Sequence, residues 1–312
     1  MHRFITLVGA PCNIGIKPYD TGEPRRLDLA PSALRSAGLA SLPDCDDDGD
    51  VVPEPYRDFV RPAGRPRNEA EMVRYCGALA ERVAAVVRRG RFPVVLGGDC
   101  GIVLGSLLGL RRAGRQRVGL AYVDGHADFA TPEESRTGSV ASMCLGLAIG
   151  RGETPLARLA GDAPLVSDGD VALIGRRDQA EPWYGHAALH ASAVLDLPHD
   201  AARTMGYGAA AEPVLTRVAA GALDGFWIHL DADVLSPAVM PAVDSPEEGG
   251  PDLDELAPFL AALVRHPKAL GMELTIYDPR FDSDRVCARR LAALVGRALG
   301  ARVGSETSAT AA

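Results

Sequence analysis

The 312-residue sequence carries no surplus of positive charge, no closely spaced cysteines and no long apolar run, and each absence removes a class of function. A net charge of −8 argues against nucleic acid or an anionic membrane as the partner, since both reward basic surfaces. The excess of carboxylate suits a cation site instead. The cysteines at positions 12, 45, 76, 100, 144 and 287 lie too far apart for a zinc knuckle or a redox dithiol, and read as reduced residues of a cytoplasmic protein. The longest apolar stretch, 140–149, is interrupted by Ser142 and Gly146 and is too short to cross a membrane. The first residues lack the apolar core and cleavage site of a signal peptide. Internal repeats and a convincing domain boundary are also missing. What remains is a chain that is 47% apolar and long enough for one large α/β domain.

Strand and helix patterns alternate along it. Strands are expected at 4–8, 93–96, 171–175, 193–197, 225–230 and 269–277, with another opening the stretch 118–128. Helices are expected at 30–39, 102–112, 140–149, 213–220, 253–265 and 285–299. A further long helix starts at Asn68, with Glu71 completing a capping box and Met72, Cys76, Leu79, Val83 and Val86 forming the buried stripe. Residues 44–67 read as a surface loop around one edge strand, with Asp46, Asp47 and Asp48 in a solvated turn. The alternation implies a three-layer α/β/α domain over 1–303 with a mainly parallel central sheet, followed by a disordered tail at 304–312.

The chemistry lies where strands end. Val118 to Val123 is apolar or aromatic, and Asp124, His126 and Asp128 follow at alternate positions, so their side chains can converge. After 94–96 come Gly97, Gly98, Asp99 and Cys100, the glycines letting the backbone pass close to a site. After 226–230 come Asp231 and Asp233. In a parallel sheet these ends share the edge where ligands bind. Four close carboxylates repel one another without cations between them, and six such donors suit two divalent ions roughly 3.5–4 Å apart.

With these motifs in view, the chain resembles the arginase/agmatinase (ureohydrolase) family over roughly 4–299. The resemblance implies an α/β hydrolase with two Mn²⁺ ions (Co²⁺, Fe²⁺ or Zn²⁺ being possible), working as a homotrimer or homohexamer on a small guanidino or amide-type substrate. It further implies that Cys100, Asp124, Asp128 and Asp231 hold one metal, and that Asp124, His126, Asp231 and Asp233 hold the other. Asp128 and His126 would be the catalytic residues, Asp128 carrying a proton to the departing nitrogen.

Several departures from the family pattern bear on the substrate. Cys100 stands where a metal-binding His is usual, as in a branch that includes N-omega-hydroxy-arginine amidinohydrolases; a thiolate is a softer donor than Mn²⁺ prefers. Ala141 replaces a His associated with proton transfer, and Ile276 replaces a guanidinium-binding Glu. Ala130 and Ala180 stand where polar groups would anchor an amino-acid tail. Burying a charged guanidinium without a carboxylate partner is costly, so a weakly basic head such as hydroxyguanidine is expected rather than plain arginine.

Other residues carry weaker expectations. His229 shares the face of Asp231 and could orient a ligand or simply pack, and Glu273 is read as a supporting carboxylate. Thr137, Ser139 and Asp178 are candidates for substrate contact or support. His186, His190, Glu133 and Glu134 read as surface residues, Ser236 as without a role, and Trp183 and Tyr184 as packing. Rival functions are an amide or formimino hydrolase of the same fold, a single-zinc deacetylase-like enzyme, nucleophilic catalysis through Cys100, and a non-catalytic metal-binding homologue.

Overall fold

The computed structural model describes residues 4–58, 61–181 and 185–300, so Trp183, Tyr184 and the 304–312 tail lie outside the described residues. Eight strands form one sheet: β1 (Ile5–Gly9), β2 (Cys45–Asp50), β3 (Phe92–Leu96), β4 (Val118–Val123), β5 (Val171–Ile174), β6 (Leu195–Leu197), β7 (Gly225–Asp231) and β8 (Ala269–Thr275). Their order is β2-β1-β3-β8-β7-β4-β5-β6, and every pairing is parallel. Strands β3, β4 and β7 are buried at every position, which requires cover on both faces.

Helices supply that cover. They are α1 (Ala30–Ser36), α2 (Glu69–Arg88), α3 (Ile102–Arg112), α4 (Cys144–Ala148), α5 (His186–Ala191), α6 (His199–Met205), α7 (Tyr207–Val218), α8 (Leu253–Arg265) and α9 (Val286–Leu299). Helices α2, α3 and α4 pack as one group, and α7, α8, α9 and α1 as another, giving the three-layer α/β/α domain expected from the alternation. No described helix is long and apolar enough to cross a membrane. All six cysteines are free, five of them buried.

The local chemistry departs from expectation at four places. Asn68 does not cap α2: its backbone has φ +46° and its amide donates instead to the Ile14 carbonyl at 3.1 Å, so no capping box forms. Glu69 and Glu71 still place negative charge in the first turn. Asp46, Asp47 and Asp48 are not in a turn but in edge strand β2, with Asp46 paired to Arg91, Asp47 to Arg35 and Asp48 to Arg89. Charged side chains on an edge strand also discourage pairing with a second sheet. The helix expected at 213–220 starts six residues earlier, at Tyr207, with Pro213 inside it; α5 and α6 carried too little periodicity to be anticipated. Finally, β8 stops at Thr275 because Ile276 adopts φ +64°.

The chain order fills the sheet from outside in. After β3 the chain skips to β4, runs outward through β5 and β6, and returns with β7 and β8 to close the gap. The four central strands β3, β8, β7 and β4 therefore present neighbouring C-terminal ends. At the end of β3, Gly97 and Gly98 have φ +73° and +110°. A Cβ on Gly98 would lie 2.5 Å from the Ala10 carbonyl oxygen, so this glycine is needed for close packing of two backbones. Gly98→Ala is expected to destabilise the protein by roughly 1–3 kcal/mol, read as a lower denaturant midpoint at unchanged slope.

Candidate metal centre

Strand ends deliver the candidate ligands, and backbone hydrogen bonds aim Asp124, Asp231 and Asp233. Asp124 follows β4, and its Oδ1 accepts the His126 backbone N–H at 2.7 Å, curling the loop so that both side chains face the same space. The Asp231–Asp233 turn repeats this device, with Asp233 N–H donating to Asp231 Oδ1 at 2.7 Å. Asp233 Oδ1 then accepts the Gly125 N–H at 3.0 Å, tying the two loops together. Arg177 reinforces the tie: its backbone N–H donates to the Gly125 carbonyl at 2.8 Å and its guanidinium to the Asp233 carbonyl at 2.7 Å. Asp178 lies beneath this layer rather than on the cleft. It is buried, accepts the Ala127 N–H at 2.8 Å and pairs with the buried Arg176.

Side chains from the three strand ends converge. Cys100 Sγ lies 2.7 Å from Asp231 Oδ2, and His126 Nδ1 lies 3.0 Å from Asp233 Oδ2. Ligand atoms of Cys100, Asp124, His229 and Asp231 all fall within 4.8 Å of one another, as do those of Asp124, His126 and Asp233. Asp124 is thus common to two groups. Asp128 falls outside both; it has φ +47°, and its Oδ2 accepts a 2.6 Å hydrogen bond from Tyr122. Cys144 Sγ sits 3.0 Å from the same phenol oxygen. Glu273 is fully buried, 2.7 Å from His229 Nδ1, and accepts from Ser106 at 2.6 Å.

The cleft over these residues has a volume of about 180 Å³. Asp128, Thr137, Ser139, Ala141 and Ile276 line it, as do Lys17, Arg25 and Asp244, which the sequence did not single out. Ser139 Oγ accepts the Lys17 backbone N–H at 3.0 Å, and Arg25 forms an ion pair with Asp244. The signal for Asp244 is conformational: Val243 bridges antiparallel to Tyr277, which sets Asp244 against the end of β8. Glu133 and Glu134 are exposed, and Glu134 meets Arg151. His186 is partly exposed and hydrogen-bonded to the Asp178 carbonyl, so it takes no place in the cleft.

Electrostatics separate the members of the cluster. Burial, together with neighbouring acidic groups, raises Asp128 and Asp231 well above the carboxylate range. Burial raises Asp233 as well, with Asp124 adding to the shift. Burial also raises the Cys100 thiol, assisted by Cys144 and Asp231. Asp124 is carried the other way: burial alone would raise it, but His126 and His229 hold it below the usual range. Both imidazoles are raised against the effect of burial, His126 by Asp233 and Asp124, and His229 to about 10 by Asp124 and Glu273. Asp124 Oδ2 and His229 Nε2 are buried without hydrogen-bond partners and 3.7 Å apart. Orphaned donor atoms inside a set of thiol, imidazole and carboxylate groups fit divalent cations.

Residues 4–300 match the sequence profile of the Arginase family. The chain belongs to that family. An arginase from Bacillus caldovelox is 30% identical over 299 residues, covering 93% of this chain and 98% of the relative. The native structure of arginase from Bacillus caldovelox superposes with a TM-score of 0.84 at 27% identity, over 97% of this chain and all of that one. A proclavaminate amidino hydrolase from Streptomyces clavuligerus shares the fold, with a TM-score of 0.71 at 18% identity, over 96% of this chain and 91% of that one. This arginase-family chain is accordingly a ureohydrolase, acting on C–N bonds of guanidino-type substrates, from a family of binuclear-metal enzymes.

A cation that binds the folded cluster and not the unfolded chain stabilises the fold by about 2.7 kcal/mol at a hundredfold excess over its dissociation constant. Dialysis against a chelator is therefore expected to lower the melting temperature by several degrees, and added Mn²⁺ to restore it. An unchanged melting temperature would mean that protons alone neutralise these carboxylates.

Proposed function

We propose that the enzyme is a two-manganese amidinohydrolase for a weakly basic guanidino-type substrate, with N-omega-hydroxy-L-arginine the best candidate and hydroxyurea and ornithine the products. The observation that carries this reading is the charge of the cleft wall. Outside the acidic cluster, the carboxylate among the cleft-lining residues is Asp244, and Arg25 already pairs with it. Ile276 presents an apolar side chain to the same space. Among the cleft-lining residues outside the acidic cluster, a fully charged guanidinium would meet Arg25 and Lys17 and no unpaired carboxylate, at the cost of a buried unpaired charge; Glu247, nearby, lies 3.8 Å from His126. A neutral hydroxyguanidine avoids that cost.

Cys100, Asp124, Asp128 and Asp231 would hold one ion, and Asp124, His126, Asp231 and Asp233 the other. When bound, such ions supply Lewis-acid activation of water and stabilise charge at the carbon under attack. The chain's own groups handle protons and orientation. Tyr122 fixes one oxygen of Asp128 and leaves the other for the reacting groups. Asp128 accepts the proton of the attacking water and delivers it to the departing δ-nitrogen, so that ornithine leaves as an amine. Ala141 carries no transferable proton, which concentrates this duty on Asp128. Thr137 and Ser139 offer hydroxyls to the substrate along the cleft wall. The reading takes the protein as a cytoplasmic homo-oligomer, trimer or hexamer, a state that sedimentation measures.

Turnover of N-omega-hydroxy-L-arginine on manganese-loaded protein is expected to exceed that of L-arginine by at least an order of magnitude in kcat/KM. A preference for arginine would refute the substrate assignment. Asp128→Asn is expected to lower kcat by about 10²–10⁴, measured by release of ornithine.

A further inference from the structure

We infer that His229 is itself a metal ligand, binding through Nε2 the same ion as Cys100; this rests on the two-ion reading and deepens it. Three neighbouring strands place Tyr122, His229 and Glu273 in one row, in register across β4, β7 and β8. The imidazole is fully buried, and its plane is set by stacking on Tyr122, with centroids 4.2 Å apart and planes 12° apart. Glu273 takes the hydrogen at Nδ1 at 2.7 Å, and Ser106 holds the second Glu273 oxygen at 2.6 Å. That chain of contacts orients the Nε2 lone pair along one direction, the arrangement by which a carboxylate fixes a metal-binding histidine.

Nε2 has no hydrogen-bond partner among the described residues. Its neighbour Asp124 Oδ2 is equally unpartnered, and their 3.7 Å separation is too long for a hydrogen bond. Two donors about 2.0–2.3 Å from one cation lie roughly 3–4 Å apart, which matches. A histidine kept only for packing would leave both atoms buried and unsatisfied. With His229 included, Cys100, Asp124 and Asp231 complete a sulfur, nitrogen and oxygen donor set. Such a set is softer than the Asp124, His126 and Asp233 group, so the two positions differ in metal preference, the Cys100 side favouring Co²⁺, Zn²⁺ or Fe²⁺.

The test loads full-length protein carrying ¹⁵N-labelled histidine with ¹¹³Cd²⁺. A scalar coupling between cadmium and His229 Nε2 is expected, with two ions bound per chain. In parallel, His229→Gln loaded with Co²⁺ is expected to bind the ion at Cys100 at least tenfold more weakly, with a corresponding loss of the thiolate-to-cobalt absorption band. Two bound ions with a proton still on His229 Nε2 and no coupling would overturn this inference alone. Failure of the wild-type protein to take up any ion would overturn the two-ion reading as well.

Discussion

The mutual repulsion of buried negative charge is the constraint on which this structure turns. Asp124, Asp128, Asp231 and Asp233 are each at most 6% exposed and converge from two strand ends, with the Cys100 thiol arriving from a third. Two unit charges 4 Å apart interact by about 4 kcal/mol at an effective dielectric constant of 20. Several such pairs rival the whole stability of a domain, which is about 5–15 kcal/mol. The cluster therefore persists only when that charge is offset. In the metal-free chain, protons on Asp128, Asp231 and Asp233 and the His126 and His229 imidazoles offset it; bound cations would take the place of those protons. The surrounding architecture serves this end. Parallel strands bring the loops to one edge, and backbone N–H groups of Gly125, His126 and Asp233 are spent on holding carboxylates rather than on extending the sheet.

Much of this was legible in the sequence because it depends on short-range pattern. Apolar runs at 94–96, 118–123 and 226–230, each followed by polar residues at fixed spacing, carry both the strand and the site in a single segment. Parallel topology then brings the three segments together without further information. Residues whose position depends on tertiary geometry were not legible. Asp244 lies in a loop without periodicity and reaches the cleft through the bridge between Val243 and Tyr277. Arg25 reaches it from an aperiodic segment near the N-terminus. Asn68 looked like a helix cap because caps are recognised by residue type, yet a more distant acceptor, the Ile14 carbonyl, claimed its side chain.

A buried layer beneath the cleft decides how rigidly the ligands are presented. Arg176 is 1% exposed and spans Asp178 and Asp196, while Asp178 holds the Ala127 N–H. Arg177, next in sequence, bridges the carbonyls of Gly175, Asp233 and Val234. Two consecutive arginines thus brace the β4, β5 and β7 loops with charge-assisted hydrogen bonds. Asp178, which the sequence offered as a substrate contact or a support, belongs to this bracing layer.

Ile276 occupies left-handed backbone, where a β-branched side chain is strained, and its N–H donates to the Gly98 carbonyl at 3.0 Å. The conformation is imposed by the junction of two strand ends and does not depend on the isoleucine side chain. Glycine or asparagine would sit there with less strain, so the backbone at this part of the cleft wall does not call for a β-branched residue. The acidic cluster opposite has no such latitude. A substitution at this one residue therefore reshapes the cleft wall without replacing any group of the acidic cluster.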